Sequence, residues 1–143
     1  MMGEQNSCYT YFKITGNFDP DDITAKLGLY PSRQWHIGDL RKNGRSAYDF
    51  ALWEYGRCND YDVIVENQMM QTINDLIPKI QELKEIKQKY DVNFTLEVVP
   101  SIFVDNINPC LAPNRTVIEF CYHTETNMDI DLYVFASDET KSL

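Results

Sequence analysis

A chain of 143 residues is the size of one ordinary domain, and 43% hydrophobic with 13% aromatic content suits a folded protein that buries a core without disulfides or metal. A net charge of -9, from 13 Lys and Arg against 22 Asp and Glu, sets most of the surface against nucleic-acid phosphates and anionic lipid. The four cysteines form no C-x-x-C pair, the N-terminus has no basic-then-apolar signal, and no window approaches the ~18 apolar residues of a membrane helix, so a reduced, cytoplasmic protein is expected.

After residues 1–7, which read as a tail, alternation sets in: Cys8, Thr10, Phe12 and Ile14 share one side and Tyr9, Tyr11, Lys13 and Thr15 the other. That pattern predicts a strand over Cys8 to Thr15, ended by Gly16. A short helix from Pro20 to Leu27 follows. Asp19 caps it, Pro20 fits N1, Asp21 and Asp22 sit at the positive end of the helix dipole, and Phe18 staples onto Ile23. Gly28 suits the left-handed position past the last turn, and Pro31 blocks continuation. A helix below ~12 residues is marginal alone, so Ile23 and Leu27 must pack onto a sheet.

The loop from Ser32 to Ser46 carries Arg33, Trp35, His36, Asp39, Arg41, Lys42 and Arg45. Asn43-Gly44 predicts a type I′ hairpin turn, with both residues at positive φ, between arms Trp35 to Arg41 and Ser46 to Tyr55. The second arm places Tyr48, Phe50 and Leu52 against Ala51, Trp53 and Tyr55, so both its faces are expected to be covered. Between Arg33 and Arg57 five basic residues meet three acidic ones, a local +2 that leaves -11 to the rest of a chain whose total is -9.

Gly56 to Asp62 reads as a loop. Val63 to Tyr90 is helical, with Met69, Ile73, Leu76, Ile80, Leu83 and Tyr90 on one stripe; Pro78 predicts a kink, or two helices with Pro78 opening the second. Val92 to Val99 alternates as a strand, and Pro100, Pro109 and Pro113 mark an irregular crossing. Thr116 to Thr126 fits a helix through Val117, Ile118 and Cys121 or a strand through Ile118, Phe120 and Tyr122. A helix is expected, because it returns the chain for a last strand, Met128 to Ala136, with Ile130, Leu132 and Val134 inward. Asp138 to Leu143 is a polar tail. The order predicts a single α+β domain over 1–143, a mainly antiparallel sheet of about four to five strands packed against two to four helices.

The run Phe12-x-Ile14-x-Gly16, Asp19-Pro20-Asp21-Asp22-Ile23, Leu27-Gly28-Leu29-Tyr30-Pro31, Gly38-Asp39 and Trp53 resembles a bacterial family catalogued as domain of unknown function 4279. The step Leu76-Ile77-Pro78-Lys79 and the close Asp129-Ile130-Asp131-Leu132-Tyr133-Val134 extend the resemblance over nearly the whole chain. It implies a helix at Thr116 to Thr126, and it implies no activity and no catalytic residues.

Arg33, Trp35, His36, Asp39, Arg41 and Arg45, with Trp53 and Tyr55 on the second arm, form the candidate binding surface. Trp and Arg anchor interfaces, and a guanidinium grips a carboxylate or phosphate at two points. Metal ligation through His36, His123, Cys121, Asp129 and Asp131 lacks a standard zinc spacing, and the Asp129/Asp131 face reads as solvated or edge-protecting. Cys121 near His123 reads as a buried small residue rather than a nucleophile. Neither a G-x-S-x-G elbow nor a phosphate-binding glycine loop is present, so no enzyme signature, cofactor or metal is expected. The sequence points to a small interaction protein, of an immunity or regulatory kind, whose acidic surface steers a basic protein partner. The alternative is a small-ligand binder or enzyme with a cleft between the Trp35 loop and the sheet, lined by Trp35, Arg41, Trp53 and Tyr55.

Overall fold

The structure, a computed structural model, describes residues 4–136. Its centre is β1 (Ser7–Asn17), paired antiparallel with β3 (Ala51–Cys58) on one side and β4 (Asp91–Phe103) on the other. Outside β3 lies the short β2 (Arg33–Trp35); outside β4 lie β5 (Thr126–Ile130) and β6 (Tyr133–Phe135). β5 and β6 run parallel to β4 because α4 (Arg115–Thr124) first carries the chain back, the crossover that a parallel pair requires. The protein is thus α+β, with a mainly antiparallel sheet of six strands and four α-helices among the described residues.

The expected local signals act as read in α1 (Pro20–Leu27). The Asp19 carboxylate accepts from the Asp21 amide at 2.9 Å, and Gly28 at φ 67 closes the helix by donating to the Thr24 carbonyl. Ile23 and Leu27 are buried, as a helix this short needs. The long helical region resolves into α2 (Val65–Ile73) and α3 (Ile80–Lys89), with Pro78 in a 3-10 turn, Ile77–Lys79, between them. Proline suits that turn because its missing N–H is not required there. Phe12, Ile14, Trp53, Phe94, Leu96 and Val98 from the sheet meet Ile23, Met69, Ile73, Leu83, Val117 and Phe120 from the four helices in one core. Each fully buried aliphatic or phenyl group there contributes about 1.5–3 kcal/mol. The helices therefore cover one face of the sheet, and none of the described helices is long and apolar enough to cross a membrane.

Five departures from the sequence reading have physical causes. The hairpin turn is not type I′: Gly44 has φ 67, but Asn43 keeps negative φ and accepts the Arg45 amide on its side chain at 2.9 Å. Gly56, Arg57 and Cys58 belong to β3 rather than to the loop expected over Gly56 to Asp62, because a bulge accommodates Gly56 at φ 72. β4 runs through Pro100, opposite Cys8, where the break between β5 and β6 leaves no strand to receive an amide. The last strand is split at residues 131–132, and Ile130, Leu132 and Val134, expected inward, are exposed on an edge. At the N-terminus, inside the expected tail, Ser7 already pairs with Ser101 and the Asn6 side chain accepts the Phe103 amide at 2.8 Å. The expected C-terminal tail lies outside the described residues.

Candidate functional site

Pairing register decides which candidate residues can meet. Trp35 faces Leu52 and Arg33 faces Glu54 across the β2–β3 ladder, whereas Gln34 faces Trp53. Side chains alternate along a strand, so Arg33, Trp35, Leu52 and Glu54 share the face that none of the described helices covers. Trp53 and Tyr55 point to the helix side, opposite Ile14 and Phe12. Trp53 is 0% exposed, stacks on Tyr55 and donates its indole N–H to Thr24 Oγ1 at 3.0 Å. Tyr55 donates to Asp75, and burial, then that carboxylate, pushes its hydroxyl up to about 12. These two residues belong to the core and its rim, so the four side chains expected to line a single cleft are divided between two faces.

The helix-free face carries a continuous run of contacts. Trp35 stacks on Tyr48 with ring centres 3.8 Å apart and 9° between planes, packs edge-on against Phe50, and donates its indole N–H to the Phe50 carbonyl at 2.9 Å. The Arg41 guanidinium lies 4.6 Å over the Tyr48 ring, and that of Arg33 lies 5.4 Å from the Trp35 ring. Arg33 then reaches Glu54 at 3.2 Å, and Glu54 accepts two bonds from Arg57, at 2.9 and 3.1 Å. Arg57 in turn lies over Tyr11 at 4.4 Å and Tyr9 at 5.0 Å. Cation–π contact, stacking and charge-assisted bonds hold every member in one geometry.

Two features of the sequence build this run. Between the pairs Thr10/Cys58 and Phe12/Tyr55 the register shifts, so Tyr11 opposes both Gly56 and Arg57. The bulge places Arg57 on the Tyr11 side while Cys58 returns to the core. Glu54 is 0% exposed; burial pushes its carboxyl up, but the bonds from Arg57 and Ser32 and the charges of Arg57 and Arg33 outweigh that and hold it below its ordinary value. A buried carboxylate is tolerated here because two guanidiniums and a hydroxyl satisfy it.

His36 and Asp39 form a separate cluster at the start of α1. The imidazole Nε2 lies 3.1 Å from Asp21 and 3.2 Å from Asp19, and Nδ1 lies 3.6 Å from Asp39. Asp39 also accepts the His36 amide at 2.8 Å. The Asp21 hydrogen bond, with the nearby carboxylates, raises the imidazole above its ordinary value. One ligand atom each from Asp19, Asp21 and His36 falls within 4.8 Å of the others, which is metal-like spacing, but a proton on His36 satisfies the same carboxylates. Arg45 is exposed in the hairpin turn.

The remaining candidates lie elsewhere. Asp129 faces Glu97 across β4–β5; burial and Asp129 raise the Glu97 carboxyl against the opposing pull of Lys13 at 3.1 Å. Asp131 accepts the Tyr133 hydroxyl at 3.2 Å. Burial pushes the Cys121 thiol up to about 11, which suppresses the thiolate that a nucleophile or metal ligand needs, and His123 is exposed beside Tyr122. A groove of about 380 Å³ between α1 and α3 is spanned by the Lys26–Glu85 ion pair.

Residues 6–135 match the family described as Domain of unknown function (DUF4279). The chain belongs to this family. A phosphoenolpyruvate carboxylase of Salmonella gallinarum is 23% identical over 104 residues, which is 71% of this chain and 11% of that enzyme, so the chain spans about a tenth of the curated relative it matches. No solved structure matches this DUF4279 member. Tyr9, Tyr11, Tyr48, Glu54 and Arg57 were not among the candidates read from sequence. Tyr9 and Tyr11 lay on one side of an alternating strand, and Glu54 lay between Trp53 and Tyr55 on an arm both of whose faces were expected to be covered; only the pairing of the strands shows that they meet.

Proposed function

We propose that this DUF4279 protein is a binding protein that engages a protein partner through the helix-free sheet face, in an immunity-like or regulatory role. The observation that carries this reading is the unbroken run from Tyr9 through Arg57, Glu54, Arg33, Trp35 and Tyr48 to Arg41. Aromatic and arginine side chains are the types that dominate interface energetics, and here they are ordered before any partner arrives, which lowers the entropic cost of association. The net charge of -9 steers a partner of basic overall character towards the molecule. Four free thiols fit a reducing compartment such as the bacterial cytoplasm.

The test is affinity capture from the native host with wild-type, Trp35→Ala and Arg57→Ala proteins, each first shown folded by circular dichroism. A partner enriched by wild-type and depleted by both variants is the expected outcome. Equal recovery by all three proteins, or no specific partner, overturns the proposal.

A further inference from the structure

The arginines on this face differ in how far they are already satisfied, and that difference identifies what the partner presents. Arg57 gives two bonds to the buried Glu54 carboxylate, a two-point grip that ties it to the protein more firmly than the single contacts of Arg33 and Arg41. Arg33 gives Glu54 one contact, at 3.2 Å through Nη2, and its side chain remains 47% exposed. Beyond its place over the Tyr48 ring, Arg41 has one carboxylate near it among the described residues, Asp49, 3.9 Å away and itself 91% exposed, a contact that water and salt weaken to near nothing. A guanidinium carries five N–H donors, so Arg33 and Arg41 hold unused donors at the two ends of the Trp35–Tyr48 stack. Arg45 and Lys42 stand exposed in the turn beside them.

Resting on the reading of this face as a protein-binding surface, we infer that its hairpin end receives an acidic segment of the partner. Two carboxylates of that segment pair with Arg33 and Arg41, and the chain between them lies on the exposed edge of the Trp35–Tyr48 stack. Charge complementarity selects this occupant: the region from Arg33 to Arg57 carries five basic against three acidic residues, and one of the three, Glu54, is buried away from any ligand. A lysine-rich segment meets like charge at both ends of the stack, while an extended polyanion such as nucleic acid is repelled by the rest of a chain of net charge -9. A short acidic stretch within an otherwise basic partner satisfies both the local and the overall field.

The two tryptophans make the test direct. Trp35 is half-buried at the stack and Trp53 lies in the core, so ligand-dependent fluorescence reports on Trp35. The full chain is titrated with a short peptide of alternating Glu and Gly, with its Lys-Gly counterpart, and with inorganic phosphate. A saturable change with the Glu-Gly peptide is expected, absent in Trp35→Phe and weakened roughly tenfold in Arg41→Gln and in Arg33→Gln, in line with the loss of one charge-assisted pair. Arg41→Gln is the decisive variant, because that side chain supports no buried group. No saturable response, unchanged affinity in Arg41→Gln, a stronger response to the Lys-Gly peptide, or phosphate matching the Glu-Gly peptide each overturns the inference. A captured partner that depends on Trp35 and Arg57 but is not displaced by the Glu-Gly peptide overturns the acidic segment alone; absence of both partner and peptide binding overturns the interaction reading with it.

Discussion

The two tryptophans sit on adjacent strands of one sheet and do opposite work. Trp53 is 0% exposed, fixed by Thr24 on α1 and packed with Tyr55 against the helices. Trp35, one strand away, is held by a backbone carbonyl and by Tyr48 and Phe50, with none of the described helices above it. Their surroundings differ because β3 alternates: odd positions 53 and 55 meet the helix layer, while 52 and 54 meet β2 residues on the open face. Burial by helices makes an aromatic ring part of the core, whereas order without cover makes it a candidate contact.

Truncating the two rings should expose this difference most strongly. Trp53→Ala removes a fully buried ring, and a loss of about 3–5 kcal/mol by urea denaturation is expected. Trp35→Ala is expected to cost about 1 kcal/mol beyond its lost area, the scale of one aromatic pair. Equal losses at the two positions would show that the open face is as structural as the core. Gly56→Ala comes next. At φ 72 its new Cβ meets the Thr72 carbonyl oxygen at 2.4 Å, so backbone strain and overpacking together cost about 2–4 kcal/mol and displace Arg57 from Tyr11. A variant that keeps wild-type stability would refute the bulge as the device that aims Arg57.

Sequence signals located the elements well where the cause was local. Asp19, Pro20 and Gly28 each act within one turn of chain, and α1 begins and ends where they imply. Alternation likewise gave β1, because Phe12 and Ile14 face a core at every second residue. What stayed hidden depended on neighbours distant in sequence. The alternation of Ile130, Leu132 and Val134 signals a two-faced strand, but none of the described helices covers that edge, and all three are exposed. The candidate surface was half legible: the Trp and Arg content of the loop marked it, while the bulge that brings Arg57 to Tyr11 shifts register by one residue and leaves no periodic trace. Glu54 shows the same limit. Its identity is ordinary, and only the meeting of Arg33 and Arg57 makes it a hub.

Glu54→Gln therefore tests whether that hub organises the face. Losing the charge leaves two guanidiniums facing a neutral amide, and a cost of about 1–3 kcal/mol is expected. The folded carboxyl is held below its ordinary value, so its contribution is present above the unfolded value of about 4.3 and is lost as pH falls through the folded one. Wild-type stability should fall with acid more steeply than that of Glu54→Gln. Parallel curves would mean that Glu54 is not an ionised partner of the arginines.

The smallest effect belongs to His36, which joins the hairpin to the start of α1 through Asp19 and Asp21. Its imidazole is raised above the ordinary value, first by the Asp21 hydrogen bond and further by the charges of Asp21, Asp19 and Asp39. The folded state therefore binds the proton more tightly than the unfolded chain does. The resulting stabilisation is complete below the unfolded value of about 6.5 and disappears as pH rises through the folded value. Asp21 runs the other way: its carboxyl is lowered, first by Gln34 and then by His36, so its contribution is lost as pH falls through the folded Asp21 value. The latch is strongest between those two titrations, in mildly acidic solution. His36→Gln should flatten the stability profile on the alkaline side of that window and reduce, without abolishing, the loss on the acid side, where Gln34 still holds Asp21 low. An imidazole that titrates by nuclear magnetic resonance at or below the value of a free histidine would show that the three carboxylates do not hold it, and would leave the Gln34–Asp21 bond as the tie between this segment and α1.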